Sequence, residues 1–132
     1  MKETLFSLIW VACGAAAGGM ARFFISGLVG RRIGETFPWG TMVVNITGAF
    51  AIGLIASADA LLHFDLRGWW PLVVTGFLGS YTTVSSFSLQ TLALARDGNW
   101  PGAGVNIVLS VVLCLAAAAL GFGLGTLVWS VS

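Results

Sequence analysis

Seven of the nine residues from Ser80 to Ser88 carry hydroxyls, the exceptions being Val84 and Phe87. A hydroxyl donates and accepts hydrogen bonds without bearing charge. With no histidine or carboxylate in the run to act as base, such a cluster suits solvation of a small ion rather than nucleophilic chemistry. Gly76 and Gly79 precede it and weaken regular helix there. Asn45 is a second candidate, sharing one helix face with Thr41 and Gly48 at spacings of i, i+4 and i+7. Arg22 is a third, an always-charged guanidinium with five donors. Asn106, Ser110 and Cys114 make a further face at i, i+4 and i+8.

The elements that position these groups follow from composition. Only 8% of the 132 residues are charged, 58% are hydrophobic, mean hydropathy is +0.96 and net charge is +1. Soluble domains carry roughly 25% charged residues, so a solvated globular surface, a nucleic-acid binder and a disordered tail are all disfavoured. The charges cluster and leave uncharged windows at 4–21, 36–58, 68–95 and 98–132. A membrane-crossing helix needs about 20 apolar residues. Four transmembrane helices are therefore read at approximately 4–29, 38–60, 68–95 and 102–130, in one all-α membrane domain spanning 1–132. The polar, turn-prone stretch from Gly98 to Gly104 takes up the start of the last window, which leaves room for one span and not two. The first apolar run continues past Phe23 and Phe24 behind a nearly neutral flank, Lys2-Glu3, unlike a cleaved signal peptide.

Inside a bilayer the polar residues mark pathways or helix contacts. Arg22 reads either as an end-of-helix anchor or as an anion-attracting group at a vestibule. Asn45 reads either as interhelical glue or as an amide donor to an anion. The third span is expected to be broken, because a glycine-led run of hydroxyls is poor helix. Non-helical backbone at that depth must be buried in protein or line a cavity, where its carbonyls can coordinate Na+. The pairs Gly14/Gly18 and Gly121/Gly125 permit close helix approach. Cys13 and Cys114 support neither a disulfide nor a metal site, and His63 is read as a solvated loop residue. Lys2 and Arg67 fall on one side, Arg31, Arg32 and Arg96 on the other, with Arg22 near the second group. So weak a bias leaves both orientations open, and with them an antiparallel pair of identical subunits.

Gly18-Gly19-Met20-Ala21-Arg22-Phe23, Pro38-Trp39-Gly40-Thr41-Met42-Val43-Val44-Asn45, Thr75-Gly76-Phe77-Leu78-Gly79 and Thr82-Thr83-Val84-Ser85-Ser86-Phe87-Ser88, in this order, resemble the CrcB/Fluc family of fluoride channels. The resemblance covers nearly the whole chain and is least specific in span four. It implies four-helix subunits with a broken third helix, paired as an antiparallel dual-topology dimer in the cell membrane. Such a dimer passes fluoride passively through two pathways around a central structural Na+. By the same resemblance, backbone carbonyls of Gly79 and Thr82 hold the Na+. Asn45 matches the pore asparagine, Arg22 the vestibule arginine and Phe87 the second of two pore phenylalanines. Ser85, Ser86 and Ser110 match a polar track, and Thr41 shares the face of Asn45.

Val84 stands where the first pore phenylalanine is usual, Gln90 where an acid is common, and Ser80 where a second glycine is usual. The first departure admits a channel with an altered pore, or a paralogue that conducts only beside a partner chain. No nucleotide loop or nucleophile–base pair is present, so no enzyme is expected. A small dual-topology exporter of organic cations would need a carboxylate in the membrane, yet Glu3, Glu35, Asp59, Asp65 and Asp97 fall at span ends or in loops. A non-transporting membrane subunit would leave the mid-span hydroxyls without purpose. The expected partners are fluoride, a second copy or a paralogue, and lipid.

Overall fold

A computed structural model of the chain describes residues 2–62 and 68–130. His63, Asp65 and Arg67, read above as loop residues, lie outside the described residues. The described chain is helical: α1 (Lys2–Ile33), α2 (Trp39–Leu62), a π-helical segment (Pro71–Leu78) running into α3 (Gly79–Tyr81), α4 (Val84–Arg96) and α5 (Trp100–Ser130). Thr4–Ile33, Trp39–Leu61, Pro71–Arg96 and Trp100–Ser130 are each long and apolar enough to cross a membrane.

The boundaries follow local chemistry. Helix α1 runs on past residue 29 to Ile33, with Arg31 and Arg32 in its last turn, where cations complement the helix dipole. Gly34, at φ 111°, then turns the chain while its N–H reaches the Gly30 carbonyl at 2.9 Å. Helix α4 ends in a Schellman motif: Gly98 sits at φ 80°, its N–H meets the Ala95 carbonyl at 3.1 Å, and Asn99 N–H meets that of Leu94 at 2.9 Å. Helix α5 begins at Trp100, inside the turn-prone stretch and two residues before the expected start at 102. The Asn99 side chain accepts from Gly102 N–H at 2.9 Å, and Pro101 lies in the first turn, where a missing N–H costs nothing. Turn-prone residues here start a helix rather than precede one.

Glycines govern the packing. A Cβ on Gly14 or Gly18 would overlap the backbone of Leu72 or Phe77, and one on Gly76 would press on Val11 and Gly14, so α1 and the π-helical segment touch backbone to backbone. Gly121 and Gly125 admit Phe50 and Ser57 in the same way, locking α5 along α2. The exterior is apolar: Phe23 is 82% exposed, and Leu89, Leu115 and Leu127 are exposed too. The buried side chains are few: Met42, Val44, Leu78 and Tyr81 with two alanines form a small apolar core, and the polar Thr41, Ser57, Thr83, Asn106 and Ser110 are buried beside it. Lipid is as apolar as leucine, so close contact and hydrogen bonding hold such helices together.

Replacing Gly18 with valine drives a branched side chain into the Phe77 carbonyl, whereas a Cβ on Gly123 meets nothing within 4 Å. Overpacking costs about 1–3 kcal/mol. Gly18→Val is expected to lower the thermal midpoint of detergent-solubilised protein, followed by tryptophan fluorescence, and Gly123→Ala to leave it near the parent. Equal midpoints for both would contradict the packing described.

Candidate functional site

Between α3 and α4 two residues leave the helical region. Thr82 lies at φ −77°, ψ 156° and Thr83 at φ −150°, ψ 123°. Extended backbone here strands groups that a continuous helix would pair, and neighbouring side chains replace the lost partners. Thr82 donates twice to the Leu78 carbonyl, from its N–H at 3.0 Å and its hydroxyl at 2.9 Å. From α2, Asn45 meets Thr83 with both ends of its amide: Nδ2 donates to the Thr83 carbonyl at 2.9 Å and Oδ1 accepts the Thr83 N–H at 2.7 Å. The Thr83 hydroxyl accepts from Ser86 N–H at 3.2 Å, which caps α4. Asn45 therefore acts as glue, yet its amide nitrogen has two hydrogens and Thr83 takes one.

The same face of α2 seats the residues before the interruption. The Thr47 hydroxyl donates to the Val43 carbonyl at 2.8 Å, so the buried Tyr81 hydroxyl donates to Thr47, also at 2.8 Å. The Tyr81 ring stacks on Phe77 at 5.8 Å. A Cβ on Gly48 would overlap the Thr82 methyl. The stripe read from Thr41, Asn45 and Gly48 thus lies against Thr82 and Thr83 at its lower two members.

Two hollows adjoin this point, and a third lies further along α4. One of about 260 Å³ is bordered by Arg22, Ser26, Thr41, Thr83 and Ser86. No carboxylate borders it, and the N-terminus of α4 opens beside it, so guanidinium, hydroxyls and a helix dipole all favour an anion there. A groove of about 390 Å³ is bordered by Asn45, Gly79, Thr82, Thr83 and Val84. Thr83 belongs to both. A third groove of about 520 Å³, between α4 and α5, is bordered by Phe87, Thr91 and Trp100. Ser85 is exposed, its hydroxyl 3.2 Å from that of Thr83. Ser110 is buried on α5, its hydroxyl 3.5 Å from Asn106 Oδ1.

One subunit therefore joins Arg22, Thr41 and Ser86 in one hollow and Asn45, Gly79, Thr82 and Val84 in another, and leaves Phe87 and Ser110 apart from both. Thr41 faces Arg22 rather than the groove of Asn45, although the two share a helix face. Ser26, Thr83, Thr47 and Thr91 were not singled out from sequence. Ser26 lies one turn after Arg22 and Thr91 one turn after Phe87, a spacing that points to both. Nothing local distinguishes Thr83 from Thr82, since only the path of the chain decides which one meets Asn45.

Removing the Asn45 amide leaves a donor and an acceptor of Thr83 unpaired, at about 1–3 kcal/mol each. Asn45→Ala is expected to speed amide hydrogen exchange across residues 82–86 while α5 exchanges as in the parent. Unchanged exchange in that segment would show that the clamp does not hold it.

The family model described as "CrcB-like protein, Camphor Resistance (CrcB)" matches residues 9–122. A protein of Rhodopseudomonas palustris (strain BisB18) named "Fluoride-specific ion channel FluC 2" is 59% identical over 124 residues, covering 92% of this chain and 95% of that one. A protein of the same name from Bradyrhizobium diazoefficiens is 54% identical over 122 residues, covering 89% and 88%. "Fluoride-specific ion channel FluC" of Opitutus terrae is 53% identical over 115 residues, covering 86% and 87%. With four membrane-crossing helices and similarity of this extent, the chain is a multi-pass membrane protein and belongs to the CrcB family.

Proposed function

We propose that this protein is a passive fluoride-selective channel of the cell membrane, not an enzyme, that lets fluoride leave the cell down its electrochemical gradient. The observation that carries the reading is the hollow bordered by Arg22, Ser26, Thr41, Thr83 and Ser86. It gathers donors and positive potential, with no acid, at an interrupted helix. Fluoride is small and strongly hydrated, so a narrow passage must substitute donors for water, which amide N–H and hydroxyl groups do. Phe87 would offer the positive edge of its ring. Arg22 attracts the ion at the mouth, Asn45 presents its second N–H, and Ser85, Ser86 and Ser110 supply hydroxyls further along.

The reading includes an antiparallel homodimer with two pathways and a structural Na+ between the subunits. Gly79 and Thr82 border one groove on an exposed face of the subunit, and the last carbonyls of a helix lack intrahelical partners. Uncharged carbonyl oxygens at a helix interruption suit Na+, and no cluster of carboxylate, histidine or cysteine among the described residues competes for a metal. Two carbonyls from one chain fill only part of an ion's shell, and a second copy would supply the rest. Val84, 76% exposed at the rim of this groove, would then lie where subunits meet.

That exposure also favours a second reading, in which the chain conducts only beside a paralogue that brings the missing aromatic edge. An organic-cation exporter has no such support, since no carboxylate borders either hollow next to the interrupted helix.

Purified protein in fluoride-loaded liposomes, followed with a fluoride electrode and with chloride as control, is expected to release fluoride and retain chloride. A hydrogen bond to a charged group is worth about 1.5–3 kcal/mol, so Asn45→Ala should slow efflux about tenfold or more, and Phe87→Ala should slow it as well. Equal fluoride and chloride release would defeat the channel reading. Flux absent from the lone chain and restored by a co-reconstituted paralogue would replace the homodimer with the second reading.

A further inference from the structure

Helix α4 buries none of its residues within the subunit, so packing alone does not set its rotation. Polar anchors must. The first is the Asn45–Thr83 pair at its N-terminus. The second lies two turns on, where Asn106 of α5, only 1% exposed, donates from Nδ2 to Thr91 Oγ1 at 2.8 Å. The Thr91 hydroxyl in turn donates to the Phe87 carbonyl at 2.7 Å.

The protons in this chain have one arrangement. A threonine hydroxyl has a single hydrogen, and Thr91 spends it on Phe87. Thr91 can therefore only accept from Asn106, which points the amide nitrogen at α4 and leaves Oδ1 to accept from Ser110 at 3.5 Å. Every bond is directional, and the chain of bonds ends on the backbone of Phe87. Back-bonding from a threonine to the carbonyl four residues earlier also bends a helix locally. The relay thus acts on the turn that carries Phe87.

We infer that Asn106, acting through Thr91, is a positioning residue that fixes the rotation of the first turn of α4 and with it the place of the Phe87 ring. The inference rests on the proposed role of Phe87 for its functional consequence and on the hydrogen bonds alone for its structural one. The two therefore separate in experiment. Neither Asn106 nor Thr91 needs to touch an ion for the relay to work.

The test compares Thr91→Val, which keeps shape and removes the hydroxyl, with Thr91→Ser, which keeps the hydroxyl. Each is combined with a single 4-fluorophenylalanine at position 87, read by fluorine NMR in detergent micelles, and with the liposome assay. Thr91→Val should shift or split the fluorine resonance and slow fluoride efflux about tenfold, a barrier change of about 1.4 kcal/mol, and Thr91→Ser should match the parent in both. The double variant Thr91→Val/Asn106→Leu should be no slower than the slower single variant, because both break one relay. A parent-like resonance in Thr91→Val, or multiplying losses in the double variant, would overturn the relay. If the parent passes no fluoride, alone or beside a paralogue, the proposed function fails while the fluorine resonance still decides the relay.

Discussion

Hydrocarbon offers no hydrogen bonds, so a backbone N–H or carbonyl that leaves a helix inside the bilayer must find a partner in the protein or lose several kcal/mol. Thr82 and Thr83 leave the helix, and the surrounding structure is arranged around that constraint. Asn45 covers both backbone groups of Thr83, the Thr83 hydroxyl caps the helix that follows, and Thr82 doubles its bonds to Leu78. Gly48 is bare because the Thr82 methyl occupies the space a side chain would need. Without that set of bonds the simplest outcome for the third span is a continuous helix, with no free dipole and no turned hydroxyls.

The constraint also explains why polar side chains are buried while the exterior is greasy. The buried Thr83, Asn106 and Ser110 are bonded to neighbouring side chains or to stranded backbone, while large aliphatic groups such as Leu89, Leu115 and Leu127 face outward. Helices with so small an apolar core need contact at backbone distance, which Gly14, Gly18, Gly121 and Gly125 permit. The glycines bring the walls together and the polar groups specify register. What remains beside the interruption is a pair of hollows of about 260 and 390 Å³ that share Thr83.

Much of this was legible in the residues. Uncharged windows located four spans, because span length is set by bilayer thickness and charge by its cost there. Paired glycines announced close approach, and Asn45 and the hydroxyl run stood out because polar groups are rare at that depth. The start of α5 was legible to within two residues: the span reads from 102, and Asn99 and Pro101 start the helix at Trp100 because a cap and a first-turn proline coincide. The choice of Thr83 rather than Thr82 as the partner of Asn45 depends on how α2 lies against the third span, a tertiary fact with no local signature. The link from Asn106 to Thr91 joins residues fifteen apart across a turn, and only the Schellman ending of α4 brings them face to face.

The central claim is that the Asn45 amide does two jobs at once, one hydrogen holding the Thr83 carbonyl and the other available to the anion. Solid-state NMR of the protein in bilayers, with nitrogen-15 in the Asn45 side chain and carbon-13 in the Thr83 carbonyl, tests both jobs in one sample. A close nitrogen–carbon coupling that persists in every salt is expected, with an Asn45 side-chain proton shift that moves on exchanging chloride for fluoride. Absence of the coupling, or an amide indifferent to fluoride, would contradict it.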